Sequence, residues 1–289
     1  MTDYGSLINV FNKYTFDYVI HLASFKSVPD SLKFPLDYYI NNLYSTLNLL
    51  KCMSYYNCFN LIFSSSACVY GNTDICPITE ETPTLGKQTN PYGTTKIFIE
   101  KILYDLCLSN KKFKIIILRY FNPVGAHSSC CIGDEVRDNI PKNLFLIIQE
   151  IYKNNIINNE KKFLYIFGND YDTKDGTCIR DFIHIEDIAN AHVKSIEYFD
   201  KLNVSNNFEI FNIGTGTGYT VLEVINLFNK FTNNSINYII TDRRPGDIPI
   251  SYTNNNKARL LLNWYPKFNI EDMVKSTINW SNKSINYYL

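Results

Sequence analysis

Asn90-Pro91-Tyr92-Gly93-Thr94-Thr95-Lys96 runs straight into Ile97-Phe98-Ile99-Glu100-Lys101-Ile102-Leu103, and the reading of the chain turns on this stretch. Pro91 suits the first turn of a helix, where its fixed φ helps and its missing N–H costs no bond. Ile97, Ile102 and Leu103 recur at helical rather than strand spacing. Tyr92 and Lys96 then stand at i and i+4 and project from one face. An ammonium beside a phenol favours the phenolate and lowers its pKa from about 10. The pair is therefore a candidate general base. Alone, the spacing is weak: a chain with 22 tyrosines offers many such pairs that only pack.

The surroundings supply the order. Upstream, Tyr18-Val19-Ile20-His21-Leu22-Ala23 is apolar on both faces, as in a strand inside a parallel sheet, and leads into Ser24-Phe25-Lys26. Residues 59–63 read as a second buried strand, ending in Ser64-Ser65-Ser66-Ala67-Cys68-Val69-Tyr70-Gly71. Residues 114–119 read as a third, ending in Tyr120-Phe121-Asn122-Pro123-Val124-Gly125. Helices fall between them. Residues 3–13 form a short amphipathic one with Leu7, Ile8, Val10 and Phe11 on one side. A long one opens at Pro35, with Leu36, Tyr39, Leu43, Leu47 and Leu50 at helical spacing. Strands alternating with helices predict an α/β fold around a parallel sheet, whose ligands bind outside the carboxyl ends of the strands. In isolation the three serines would be a polar turn, Lys26 a solvated lysine and Arg243–Asp247 a charged turn.

At 289 residues with 45% hydrophobic and 15% aromatic content, the chain can bury a full core. Its 28 basic and 28 acidic residues give no electrostatic case for nucleic acid or an anionic membrane. No apolar run approaches the roughly 20 residues of a spanning helix, and no signal peptide is visible, so a cytoplasmic location is expected. The eight cysteines show no C-x-x-C pair and no zinc spacing, so no metal is expected. Cys130 and Cys131 are adjacent and could mark a redox-sensitive loop; free thiols in a reducing compartment are the simpler reading.

Together, the Tyr92/Lys96 helix and the three strand ends resemble the extended short-chain dehydrogenase/reductase family and, within it, the UDP-glucose 4-epimerases, from about Asp17 to the C-terminus. The resemblance implies an incomplete doubly wound parallel (Rossmann-type) sheet with a smaller C-terminal α/β substrate-binding part. Residues 1–133 would be the remainder of the NAD-binding domain. Residues 134–289 would be mainly a UDP-sugar-binding domain, with some segments returning to the first. It also implies catalytic roles for Tyr92, Lys96 and Ser66, and NAD contacts from those three with Ala23, Lys26, Asn41 and Phe121. Ser24 stands where the family usually has Gly. Ala67-Cys68 stands where related dehydratases place Asp-Glu, which disfavours a dehydratase.

For the UDP-sugar, the resemblance points to Ser66, Tyr92, Phe121, Asn122, Asn143, Leu144, Tyr165, Phe167, Arg180, Arg244, Asp247 and Ser251. Asn143 and Leu144 would lie at a helix opened by Ile140-Pro141-Lys142. Tyr165 and Phe167 would lie on the strand that cradles uracil, and a guanidinium fork at Arg180 suits diphosphate oxygens. Small Ser251 would leave room for an N-acetyl group. Asp187 is read as structural, and Gly214-Thr215-Gly216-Thr217-Gly218 as a turn, since its spacing is not G-x-G-x-x-G.

The Gly-rich strand-to-helix turn that the resemblance calls for is not found in this sequence. On the order of 50–60 residues would carry it, upstream or on a second chain. The first strand would otherwise present an open apolar edge. The expected activity is interconversion of UDP-glucose and UDP-galactose with bound NAD, in a homodimer formed through helices 36–53 and 92–109. The alternatives are an inactive UDP-sugar-binding fragment or subunit, and an epimerase acting on a related sugar nucleotide.

Overall fold

The helix that carries Tyr92 begins where Asn90, in extended backbone, accepts the Gly93 N–H on its side chain at 2.8 Å. That capped start, with Pro91 in the first turn, sets the angle at which the helix leaves the sheet. In this computed structural model the described residues are 1–84, 89–136, 143–157, 161–233, 236–244 and 246–285. In chain order the helices are α1 (Tyr4–Lys13), α2 (Val28–Lys33), α3 (Pro35–Tyr55), α4 (Pro91–Ser109), α5 (Leu144–Ile157), α6 (Ile185–Tyr198), α7 (Val221–Phe231), α8 (Asn256–Leu262) and α9 (Ile270–Ile285). The strands are β1 (Tyr18–His21), β2 (Asn60–Ser66), β3 (Lys114–Tyr120), β4 (Asn122–Val124), β5 (Phe163–Phe167), β6 (Ile179–His184), β7 (Phe208–Ile213), β8 (Gly218–Thr220), β9 (Asn237–Thr241) and β10 (Ile250–Ser251).

The main sheet runs β1-β2-β3-β7, all parallel. Side chains alternate across it as strand geometry requires. Leu61, Phe63, Ile115 and Ile117 pack on the α1, α3 and α4 side, whereas Ile62, Ile116 and Leu118 pack on the α6 and α8 side. Both faces are therefore covered, the doubly wound arrangement the sequence predicts. A second sheet, β10-β6-β4 with β8 beside β6, and the parallel pair β5-β9 build the C-terminal half. A separate core there joins α5, α7 and α9 to Leu164, Ile166 and Phe182.

Two local expectations change, and the open apolar edge expected of the first strand holds. Val10 faces solvent while Leu7 and Phe11 are buried, so α1 uses a narrower face than its composition suggests. On α3, Leu36 and Leu47 are 72% and 38% exposed. Leu50 is buried and Leu43 packs on the core as expected, and the buried side also takes in Tyr38, Asn42, Ser45, Thr46, Leu49 and Met53. The buried polar groups are hydrogen-bonded: Asn42 takes both backbone groups of Phe25 (2.8 and 3.2 Å) and Thr95 Oγ1 (3.1 Å). An apolar count misses a polar face that is buried because it is paired. Finally, β1 lies at the sheet edge, with Tyr18, Ile20 and Leu22 exposed. Residues 85–88 of the loop at 72–90 and Ile140-Pro141-Lys142 lie outside the described residues.

Candidate active site

Ser66 ends β2 and caps a single 3₁₀ turn, Ala67–Tyr70, its side chain accepting the Cys68 N–H at 3.2 Å. The next strand end is in register with it, Ser66 opposite Tyr120, so the carboxyl ends of β2 and β3 form one ledge. The first turns of α4 lie over that ledge and bury Tyr92 and Lys96. The Ser66 hydroxyl is a hydrogen-bond partner of the Tyr92 phenol. The Lys96 ammonium donates to Ser64 O at 2.7 Å and to Ser24 Oγ at 3.0 Å. Ser24, the departure from glycine, thus helps to hold the lysine.

The expected fall in the Tyr92 pKa is not what this environment gives. Burial raises it, the neighbouring Cys68 thiol adds to the rise, and Ser66 opposes both. Lys96 lies beside the ring rather than at the oxygen, 5.7 Å from the Tyr92 centroid and 4.8 Å from that of Phe63. Burial also pushes Lys96 down to about 7, against the pull of Glu100. Both shifts have one cause: a low-dielectric interior disfavours the charged form of each group. The phenolate therefore needs a further positive charge or donor at the site.

Beneath the pair lies a network the sequence reading did not anticipate. Glu100, one turn beyond Lys96, accepts two bonds from Arg119 (3.0 and 2.6 Å) and one from Ser65 Oγ (2.5 Å). Arg119 also donates to Tyr70 OH at 2.9 Å, and that hydroxyl donates to Asn212 at 2.6 Å. The bonds tie α4, β2, β3 and β7 together directly under the ledge. The signal was present, since Tyr92, Lys96 and Glu100 repeat every four residues on one helix face.

The C-terminal half contributes two arginines. Arg180, on β6, and Arg244 converge on Asp247: Arg244 donates at 3.2 and 2.7 Å, and Arg180 pairs with it at 3.7 Å. Arg180 also donates to its neighbour's carbonyl, Ile179 O, at 2.8 Å. Asp247 therefore spaces two guanidinium groups side by side, leaving a net positive patch. The Arg244 guanidinium lies 5.5 Å from the Phe167 ring, and Phe167 and Tyr165 share the exposed face of β5. Ser251 is buried opposite Arg180 in the β10–β6 register. Strand alternation sends the adjacent Asp181 the other way, where it accepts Thr215 N (2.8 Å), Gly216 N (3.0 Å) and Thr253 N (3.2 Å). The Gly214–Gly218 segment is thus a turn closed on a buried carboxylate. Asp187 likewise accepts the N–H groups of Lys267 (2.9 Å) and Phe268 (3.2 Å).

The Cys68 thiol lies within electrostatic reach of Arg180 and Lys96, and burial pushes it up. Phe121 is buried and Asn122 exposed just past the β3 ledge. Asn143 accepts the Leu146 N–H at 2.9 Å and so caps α5, with Leu144 as its first residue. Ala23 and Lys26 are exposed beyond β1, and Asn41 sits on α3 with its amide on Asn42 at 3.0 Å.

The donor set fits a nicotinamide riboside: an ammonium has three donors, Lys96 uses two within the protein, and Lys26 and Asn41 lie at the same sheet end. Among the described residues, no group of His, Cys, Asp and Glu is placed to hold a metal ion. None of the described helices is long and apolar enough to cross a membrane.

The parallel sheet covered on both faces is of Rossmann type, and its relatives make the chain one of a class of NAD-dependent enzymes. The chain belongs to the NAD dependent epimerase/dehydratase family, whose profile matches residues 1–214. UDP-glucose 4-epimerase 2 of Arabidopsis thaliana is 43% identical over 284 residues, covering 98% of this chain and 78% of its own length. The human UDP-glucose 4-epimerase is 41% identical over 282 residues with the same coverage. The crystal structure of the Bifidobacterium longum UDP-glucose 4-epimerase in complex with NAD+ and UDP superposes with a TM-score of 0.90 at 45% identity. That match covers 99% of this chain and 82% of the other.

Proposed function

We propose that the chain interconverts UDP-glucose and UDP-galactose by transient oxidation at C4, with Tyr92 as the proton-transferring group. The observations that carry this reading are a buried Tyr92–Ser66–Lys96 cluster at the carboxyl ends of β2 and β3 and, in the C-terminal half, two arginines spaced by one carboxylate. Arg180 and Arg244 grip the diphosphate, while Asn122, Asn143 and Leu144 line its nucleotide side. Phe167 and Tyr165 flank the uracil, and Asp247 is poised for a ribose hydroxyl. With the diphosphate held, the sugar alone turns and presents either face of C4. Ser66 shares the C4 hydroxyl with Tyr92, which takes its proton on oxidation and returns it on reduction.

NAD, when bound, supplies the hydride acceptor and donor for C4 and a positive charge near the phenol. Lys96, Lys26, Asn41, Ala23 and Phe121 are the residues of this chain that would hold it. We assign its binding to residues 1–133 and the UDP-sugar mainly to 134–289. The exposed parallel edge of β1 would accept a further strand, from the same polypeptide or another.

Three finer assignments follow. Leu36, Ile40, Tyr44 and Leu47 on α3, with Phe98, Tyr104 and Leu108 on α4, are all exposed and form apolar stripes at helical spacing. Such stripes support a homodimer through these helices. A cytoplasmic location suits the free cysteines among the described residues. Small, buried Ser251 beside Arg180 supports acceptance of the N-acetylated pair, UDP-GlcNAc and UDP-GalNAc. The Ser251→Tyr variant should lose about 10-fold or more on that pair, since overfilling a packed pocket costs about 1–3 kcal/mol. Unchanged turnover of the N-acetylated pair would remove the assignment.

The decisive test is to add NAD and UDP-galactose to the purified chain and follow UDP-glucose by proton NMR, with UDP affinity measured separately by calorimetry. Appearance of UDP-glucose supports the proposal. Tight UDP binding without conversion, at saturating NAD, would overturn it.

A further inference from the structure

The turn after β5 holds a polar group that the proposed chemistry leaves out. Tyr171 is only 6% exposed, and among the described residues its hydroxyl is buried without a hydrogen-bond partner. A buried phenol usually finds one, because an unpaired hydroxyl in the interior costs stability. The Cys178 thiol lies beside it, and a thiol is a weak partner.

The surroundings put this residue beneath the nucleotide side of the candidate site. Its ring is wedged between the residue after Phe167 and the residue before Arg244. Gly168, at a φ of 83°, lies so close that a Cβ there would come within 2.7 Å of the ring and 2.8 Å of Arg243 Cγ. The Arg243 guanidinium lies over the ring, 4.2 Å from its centroid. Asp170 pins that guanidinium, accepting from it at 2.7 Å on the carboxylate and 2.6 Å on the carbonyl. On the Cys178 side, the next residue begins β6, and the Ile179 N–H donates to Pro249 O at 2.8 Å, two residues beyond Asp247. Burial, the Cys178 thiol and the Asp247 carboxylate together push the phenol up to about 12, against the pull of Arg243.

In the structure the Asp247 carboxylate is occupied: Arg244 donates two bonds to it and Arg180 pairs with it at 3.7 Å. A diphosphate offers guanidinium groups more oxygens and more charge than one carboxylate does, and it competes for both arginines. Asp247 then loses its donors within reach of a phenol that has no acceptor. We propose that Tyr171 is a positioning residue for Asp247: when a nucleoside diphosphate takes Arg180 and Arg244, the Tyr171 hydroxyl donates to the released carboxylate and holds it toward the ribose. The inference deepens the UDP-sugar site proposed above and rests on it. A hydroxyl donating to an ionised carboxylate makes a short bond, roughly twice as strong as a neutral one. Tyr171 therefore trades stability of the fold for affinity.

The test is Tyr171→Phe, which removes the hydroxyl and keeps the ring under Arg243. UDP affinity, by calorimetry on the whole chain, should fall about tenfold or more, the range for a hydrogen bond to a charged group. The melting temperature without nucleotide should hold or rise, because an unpaired buried hydroxyl has gone. A residue that served the fold alone would lower both. In an Asp247→Ala background, Tyr171→Phe should leave UDP affinity as it was, since the acceptor is absent. Undiminished UDP affinity in Tyr171→Phe, a lower melting temperature without nucleotide, or the same loss in the Asp247→Ala background would each overturn the proposal. Failure of the unaltered chain to bind UDP would instead overturn the site reading, and this inference with it.

Discussion

Tyr92, Lys96 and Ser66 are positioned by the protein interior, whereas Arg180, Arg244 and Asp247 are positioned largely by one another. In the first group the polar contacts run to a strand, to the loop after β1 and to the turn after β2, and the ion pair beneath it, Glu100–Arg119, is almost fully buried. In the second, Arg244 is half-exposed and its partner is three residues away in the same loop. The interior half has titrations shifted by burial; the surface half has charges held in place by opposite charges. A buried constellation is rigid at the cost of ionisation, and a surface clamp keeps its charge but yields to its ligand.

This contrast can be broken experimentally, beginning with its largest consequence. Tyr92→Phe should lower turnover by about 10²–10⁴-fold, the range of a positioned acid–base group, while UDP affinity by calorimetry stays the same. Parallel losses in both would merge the two halves. Glu100→Gln should destabilise the fold by about 3–5 kcal/mol, because it strands the Arg119 guanidinium in the interior. Denaturant titration would show it, and a change below about 1 kcal/mol would mean that the network is not a unit.

Lys96 tests the interior half through pH. Its folded pKa of about 7 lies below the ordinary lysine value of 10.5, so above pH 7 the unfolded chain binds more protons than the folded one. Stability from this group therefore rises between pH 7 and 10.5, by at most a few kcal/mol, roughly 1.4 per pKa unit. In Lys96→Met that slope should disappear from thermal melts; an unchanged slope would place the titration elsewhere. The smallest effect falls on the surface half. Arg180→Gln should weaken UDP binding by about 1.5–3 kcal/mol, the range for a charged hydrogen bond, with little change in melting temperature. A large stability loss there would show that the clamp is also structural.

Much of this was legible from residue order. Pro91 announced the helix start, the apolar strands announced a parallel sheet, and the four-residue spacing of Tyr92 and Lys96 put both on one face. Other features failed for identifiable reasons. On α3 part of the buried stripe is polar, with Asn42 holding the β1 exit loop, so an apolar count picked Leu50 and Leu43 rightly but also the outward Leu36 and Leu47. The Tyr92 shift had the wrong sign because proximity in sequence shows the nearby charge but not the depth of burial that opposes it.

By itself the sequence determined the class of fold and placed Tyr92 and Lys96 on one helix face, because periodicity is a local property; Ser66 and the two arginines were singled out only by the resemblance to a family. Only the tertiary structure decided that Glu100 and Arg119 underlie the cluster and that Arg180 joins the Arg244–Asp247 pair. Those contacts join residues far apart in the chain, and their energies depend on burial. Both arise when strands and helices pack, and neither is written in any single stretch.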